Sequence, residues 1–577
     1  MNNVNITQFA FVWGIYLLVI LFLTIRFFPK KSINLYQERG KSSLWILISL
    51  GMFTSIFNFS SDLIFLEVTA KDGFSGLWLL SSGIFAIGFS PILFGPFWSK
   101  LKLSTENEFC VFRYSGTGAK SLQIFRATYL GFIVVPILIS FQLLAFQKFT
   151  SILFGWTSQE SFYVTISLLG VLLLKNSFRQ EVRINTLNGF IQLSAMFLVL
   201  YFSLLSIDIP LFDFWKQFKI EHTELVNLVP QSSHQNNTND LWVFLLIQWW
   251  SISILDNSNI NAHRFMSISS SWRSFLAIFL PTFIFLGISF IRSVVFDSYV
   301  SSHPNWIVNI YDSLLGMYTY NIPLYFKPII ALALLLAFIT SLEELFNWGS
   351  SMLNYDLYKG YINTKAADMH YKYSGYLLMF ILLLIGSVIS IYQTSFLPLI
   401  KFFFSISAGV GPVFIARWFW WRVNAWSQLS AMLSSLVYTL IYDFCNNHFL
   451  TFKNVTLALS ELLNISDFYT KLIILTLSVI TTWVTVAYLC PSDKIEDLKK
   501  FYSVVKPGGI WPWDTQKDNK VLIKKIFWIL LFAIANFTIV LGGWILKFQN
   551  HLYGLFLIVI SILIFFIGVV RLKRIIV

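Results

Sequence analysis

The chain of 577 residues is 56% hydrophobic and 18% aromatic but only 12% charged, about half of the roughly 25% charge of a soluble domain. Its apolar surplus comes in long blocks such as FAFVWGIYLLVILFLTI, so lipid rather than water is its main solvent. The net charge of +13, at a mean hydropathy of +0.69, needs no nucleic-acid partner, because the basic residues stand in short connections between apolar blocks, where topology explains them.

A spanning helix takes about 20 apolar residues, and a window of that length finds fifteen candidates, centred near residues 18, 55, 86, 136, 167, 197, 248, 285, 340, 381, 407, 435, 479, 534 and 561. The first lacks a basic leader and a small-residue cleavage site, so it reads as a retained span. An odd count puts the termini on opposite sides. With the N-terminus outside, the inside loops and the C-terminal tail hold 31 of the 41 Lys and Arg residues, including those of RFFPKKSINLYQERGK, the stretch from Lys494 to Lys525 and the tail RLKRIIV, which places the N-terminus outside and the C-terminus in the cytoplasm. The connections at 208–239 and 446–466 are polar and read as solvated outer loops, with no soluble domain appended. Cys110, Cys445 and Cys490 show no CxxC spacing, and no histidine pair falls at i, i+4 inside a span, so the sequence holds no evident zinc, haem or disulfide framework.

Polar groups are expensive in a bilayer, so the informative residues are those that break the apolar blocks. The second span, SLWILISLGMFTSIFNFSSDLIFLE, carries Asn58, Ser60, Ser61 and Asp62 near mid-depth. The seventh, LWVFLLIQWWSISILDNSNINAHR, turns polar after about fifteen residues of the roughly twenty that a span needs. An offset of five helices inverts direction. Two broken spans so placed are the mark of an inverted five-plus-five repeat, whose unwound backbone offers carbonyls to a cation and a helix N-terminus to an anion. Interhelical hydrogen bonding by Asn and Ser is the plainer reading of either span alone. In the ninth span, LLLAFITSLEELFNWGSSMLNYDLYKGYI, Ala337, Thr340, Ser341 and Glu344 fall at i, i+3, i+4 and i+7 on one helical face. Two hydroxyls beside carbonyl oxygens suit a hard cation such as sodium, although Thr and Ser also bond back to their own helix.

The stretch AFITSLEELFNWGSSMLNYDLYKGYI resembles the eighth core helix of the sodium:solute symporter family, which includes sodium/glucose, proline, iodide and sialic acid transporters. STENEFCVFRY, AHRFMSISSSWRS, RWFWWRVNAWSQLSAM and FYSVVKPGGIWPW agree with it in order and spacing. The resemblance runs over nearly the whole chain and is to a bacterial branch of the family. It implies an all-α polytopic membrane protein with a LeuT-type inverted repeat: one transporter domain over 1–577, with an extra first helix at 8–28, repeats at 43–207 and 240–420, and extra helices at 425–572.

The resemblance further implies a sodium site at which Ile56, Phe59 and Ala337 lend carbonyls and Thr340 and Ser341 lend hydroxyls. Asn58, Asp62, Gln248 and Trp249 are the expected solute contacts; Trp249 and Trp250 are adjacent and cannot both point inward. Where relatives with a second sodium site carry a fifth-helix aspartate, INTLNGFIQ has Gly189 or, with a one-residue slip, Asn188. Their second-site hydroxyls are replaced by Glu343 and Glu344, which could restore the charge for a second sodium ion or a proton. The matched sugar-binding positions are Leu63 and Gly83, which argues against a sugar.

The expected function is sodium-driven import of a small polar organic solute by alternating access, without enzymatic activity, from a monomer whose partners are the solute and the lipid bilayer. The alternatives are a transport-defective sensor of the same fold and a polytopic membrane transferase. A tenfold sodium gradient with 100 mV supplies about 3.7 kcal/mol per ion, enough for roughly 500-fold accumulation. The sequence has no GxxxxGK[ST] loop for ATP.

Overall fold

The computed structural model describes residues 6–26, 44–56, 59–79, 83–101, 103, 105–172, 178–228, 239–251, 256, 260–268, 270–393, 395–513 and 516–576. Among them the chain is helical almost throughout. In order the helices are α1 (Ile6–Arg26), α2 (Leu44–Ile56), α3 (Phe59–Asp72), α4 (Gly83–Phe89), α5 (Gly95–Lys100), α6 (Phe109–Arg113), α7 (Gly116–Tyr129), α8 (Val135–Phe154), α9 (Ser158–Leu172) and α10 (Phe178–Leu205). Then follow α11 (Leu211–Glu221), α12 (Thr223–Val226), α13 (Asp240–Val243), α14 (Trp249–Ser251), α15 (Ile260–Met266), α16 (Ser271–Ser302), α17 (Ile310–Thr319), α18 (Lys327–Ser351) and α19 (Asp368–Ile391). The last are α20 (Phe396–Ser407), α21 (Gly411–Phe419), α22 (Ala425–His448), α23 (Leu450–Leu463), α24 (Asp467–Leu489), α25 (Ile495–Val505), α26 (Gln516–Phe548) and α27 (His551–Ile576).

Each candidate span coincides with one of these helices or with two or three of them in succession. Among the described residues nine helices are long and apolar enough to cross a membrane. The second and seventh candidates are each described in more than one piece. The second is α2 and α3, with positions 57 and 58 outside the described residues; the seventh is α13 to α15, joined in part by a wide π turn at Phe244–Gln248. Pro91 and Pro136 stand where α and π turns meet, at junctions that tolerate a residue with no N–H to donate.

The chain packs as two compact units, each drawing on both expected repeats. One comprises Met1–Ala70, Leu130–Glu221 and Leu276–Phe396; the other comprises Lys71–Tyr129, His222–Phe275 and Leu397–Val577.

In the first unit α18 is the central helix, buried along nearly its whole length and packed against α1, α2, α8, α10 and α19. Small residues allow the approach, as in other membrane helix pairs. A Cβ on Gly189 of α10 would stand 3.2 Å from the Leu50 carbonyl oxygen and 3.2 Å from the Thr54 methyl carbon of α2. Gly189→Val should therefore push α2 off α10 and cost about 1–3 kcal/mol, seen as a lower melting temperature in detergent; an unchanged value would show that this approach is loose.

In the second unit four of the family-like sequence stretches meet in one buried cluster. Arg113 donates from Nε to the Arg417 carbonyl at 2.9 Å and from Nη2 to the Trp420 carbonyl at 3.2 Å. Trp418 stacks on Phe97 and lies tilted against Phe109 and Phe501. Glu106 meets His263 at 2.8 Å. The PGG turn closes on the same place: Ile510 donates to the Phe419 carbonyl at 2.7 Å, and a Cβ on Gly509, whose φ is +108°, would lie 2.4 Å from that oxygen, so only glycine fits. Asn424 and Ser427 form a reciprocal capping box that starts α22, which accounts for the NAWS tetrapeptide.

Candidate ion and solute site

All five expected sodium positions belong to the first unit. Ile56 is the last described residue of α2 and Phe59 the first of α3. Their side chains are not described.

On α18, which packs against α2, Ala337 and Thr340 are fully buried and Ser341 is 6% exposed. The Thr340 hydroxyl donates to the Leu336 carbonyl one turn back. That bond uses the proton and leaves the oxygen lone pairs for an incoming cation. The Ser341 Oγ is buried with no hydrogen-bond partner among the described residues, an arrangement that costs about 1–3 kcal/mol unless something fills it. The two hydroxyl oxygens on this buried helix are uncharged hard-oxygen donors, of the kind that suits a monovalent cation.

Glu343 and Glu344 are both buried. Glu343 lies within electrostatic range of Tyr16 on α1, and the Tyr16 hydroxyl donates to Asn188 Oδ1 of α10 at 2.8 Å. The slip between Gly189 and Asn188 resolves geometrically: Gly189 faces α2, while Asn188 faces Tyr16. Asn185, Asn188 and Gln192 recur at i, i+3 and i+7 on α10. The Asn185 Oδ1, the Asn188 Nδ2 and both Gln192 amide atoms are buried without a hydrogen-bond partner among the described residues. This polar stripe was missed in the sequence, although its spacing on one helical face was there to be read.

The expected solute contacts are placed unevenly. Asn58 lies outside the described residues, and the Gln248 side chain is not described. Asp62, in the first turn of α3, is fully buried. Its Oδ1 is ion-paired with Arg292 of α16, and its Oδ2 accepts from the Tyr318 hydroxyl of α17 at 2.9 Å. Neither Arg292 nor Tyr318 was picked out from sequence; the signal was a lone Arg inside the apolar run FLGISFIRSVVF.

Two more polar side chains of α3 are tied within this unit. Gln142 of α8 donates to the Ser60 Oγ at 3.0 Å, and the Glu67 carboxylate takes the Phe396 amide at 3.0 Å together with the Ser395 hydroxyl.

In the second unit Trp249 packs on Phe85 and Phe89 of α4, with ring centroids 5.0 and 5.1 Å away. Trp250 instead donates its Nε1 to the Ala408 carbonyl at 2.8 Å. The two adjacent indoles thus take different partners, as their spacing demands. Asp256, in the polar end of the seventh span, is fully buried. Its Oδ2 accepts from Arg417 Nε at 2.9 Å and from Trp418 Nε1 at 2.8 Å.

The family model named "Sodium:solute symporter family" matches residues 39–435. Among solved structures the chain is similar to a Na+-coupled sialic acid symporter in a substrate-bound outward-open state, with 15% identity, a TM-score of 0.62, and coverage of 85% of this chain and 99% of that one. A nucleobase-cation-symport-1 family transporter, Mhp1, aligns at 14% identity and a TM-score of 0.44 over 82% of this chain and 98% of that one. No curated protein sequence matches the chain. The first of these structures shares the LeuT-type inverted-repeat fold expected from the broken spans. With the family model covering more than half of its length, the chain belongs to the sodium:solute symporter family and is a multi-pass, sodium-coupled symporter.

Proposed function

We propose that the protein imports a small polar organic solute by alternating access, with sodium held by the carbonyls of Ile56, Phe59 and Ala337 and the hydroxyls of Thr340 and Ser341. The observation that carries this reading is the buried, unpartnered Ser341 Oγ beside a Thr340 hydroxyl whose proton is already committed. Asn58 and Asp62 of the second span, and Gln248 and Trp249 of the seventh, are each candidate solute contacts. The N-terminus faces the outside and the C-terminus the cytoplasm, following the basic connections, and a monomer suffices. Sodium-dependent uptake into proteoliposomes, with a panel of amino acids, sugars, nucleosides and organic acids, tests the reading. Sodium binding without flux of any solute would favour a sensor of the same fold.

A second coupling charge sits at Glu343 in this proposal, a buried carboxylate within electrostatic range of Tyr16 that binds either sodium or a proton. Glu344, on the face of Thr340 and Ser341, is the other candidate. Transport then moves more than one positive charge per neutral solute, and Glu343→Gln or Glu344→Gln lowers the charge-to-substrate ratio measured in vesicles. A ratio of one in the unaltered protein, unchanged by either substitution, would leave both carboxylates with a packing role alone. If the second charge is a proton, raising the external pH slows uptake at constant sodium in the unaltered protein but not in the Gln variant.

A further inference from the structure

The Asp62 and Arg292 pair stands out among the buried groups of the first unit. Asp62 is fully buried and Arg292 is 5% exposed. They lie on different helices, with Asp62 in the first turn of α3. A buried ion pair gains little over a well-packed apolar pair, because two charges must be desolvated, so its presence in a membrane helix bundle points to use. The pairing is also incomplete. A guanidinium has five N–H donors and matches a carboxylate best through two parallel bonds. Here Nη2 meets Asp62 Oδ1, while the Arg292 Nε is buried and has no hydrogen-bond partner among the described residues. The second Asp62 oxygen is held by Tyr318, so the carboxylate cannot turn to offer both oxygens to the guanidinium without giving up that bond. The nearby carboxylate of α3, Glu67, is committed to Ser395 and Phe396.

We propose that this pair is the recognition site for a zwitterionic solute, one carrying an ammonium and a carboxylate, such as an amino acid or a betaine. The inference rests on the proposed placement of the solute beside the broken helix. The solute inserts between the two side chains: its carboxylate takes the Nε and Nη2 edge of Arg292 in a two-bond pairing, and its ammonium takes Asp62 Oδ1. The Tyr318 hydroxyl holds Asp62 in place throughout.

Charge balance selects the class. With a zwitterion, each buried charge has an opposite partner both before and after binding, so the exchange leaves no bare charge in a medium of low dielectric constant. An anionic solute would displace Asp62 from Arg292 and leave the carboxylate uncompensated, and a cationic solute would do the same to the guanidinium; each is strongly unfavourable. An uncharged sugar or nucleoside would have to separate two opposite charges with hydroxyls alone.

The test is sodium-driven uptake by the full chain in proteoliposomes, using labelled neutral L-amino acids, glycine betaine, D-glucose, uridine, succinate and choline. Sodium-induced thermal stabilisation is measured alongside for each variant. The expected result is uptake of a zwitterion, with no competition from its methyl ester or its deaminated analogue. Arg292→Gln should raise KM for that solute at least 100-fold, with partial recovery in Arg292→Lys and an unaltered sodium-induced stabilisation.

The double variant Asp62→Asn with Arg292→Gln separates recognition from structure. A purely structural pair replaced by two neutral amides would leave KM unchanged, whereas a recognition site loses the zwitterion. Wild-type KM in the double variant, or preferential uptake of glucose, uridine, succinate or choline, would overturn the inference and leave sodium symport standing. Absence of sodium-dependent uptake for every solute would overturn both.

Discussion

Asp256→Ala should destabilise the protein by about 3–5 kcal/mol, the usual cost of removing one partner from a buried ion pair. The carboxylate it deletes is fully buried and is the charged partner of Arg417, which is fully buried as well. Without it the Arg417 guanidinium would keep a neutral amide acceptor, Gln428 Oε1 at 3.3 Å, and the faces of Phe109 and Phe414, each 4.4 Å from its carbon. Such contacts are worth about 0.5–2 kcal/mol each and do not neutralise the charge. The Trp418 Nε1 would lose its acceptor too. Asp256→Asn preserves an acceptor oxygen and should cost less than the alanine substitution. Thermal unfolding in detergent measures both. A loss below about 1 kcal/mol for Asp256→Ala, the range of a solvent-exposed pair, would mean that water reaches Arg417 in solution.

Removing one of the two sodium hydroxyls should weaken the response to sodium strongly. Ser341→Ala or Thr340→Ala takes away one oxygen of about five, and the sodium concentration for half-maximal uptake should rise at least tenfold, roughly 1.4 kcal/mol. The two substitutions differ in their effect on the empty protein. The Ser341 Oγ is buried and unpartnered, so deleting it removes an unmet polar group, and Ser341→Ala should be neutral or slightly stabilising without sodium. Thr340→Ala removes a hydroxyl bonded to its own helix and one buried methyl group, so it should lower stability in either condition. Sodium titration followed by uptake and by melting temperature separates these effects. Unchanged sodium affinity in both variants would sink the assignment.

Much of the site can be found by reading the chain. The hydroxyl pair of α18 is legible because a helix repeats its face every three to four residues, and the apolar background makes each polar residue conspicuous. The polar interruptions of the second and seventh spans are legible for the same reason. Asp62 also stood out as a solute contact, but its partners did not, because the guanidinium that meets it comes from a different span of the chain.

Hydropathy, the positions of the basic connections and the family-like stretches determine by themselves that this is a helical membrane protein, where its helices run and which family it joins. These properties depend on local composition and on the match between helix length and bilayer thickness, both written along the chain. Only the tertiary structure decided that Asp62 is paired with Arg292 and Tyr318, that Asp256 is paired with Arg417, that Asn188 rather than Gly189 faces Tyr16, and that Ser341 keeps an unmet oxygen. Each of these is a meeting of side chains far apart in sequence. Which polar groups find a partner inside a low-dielectric interior depends on helix rotation and packing, and no local pattern encodes that.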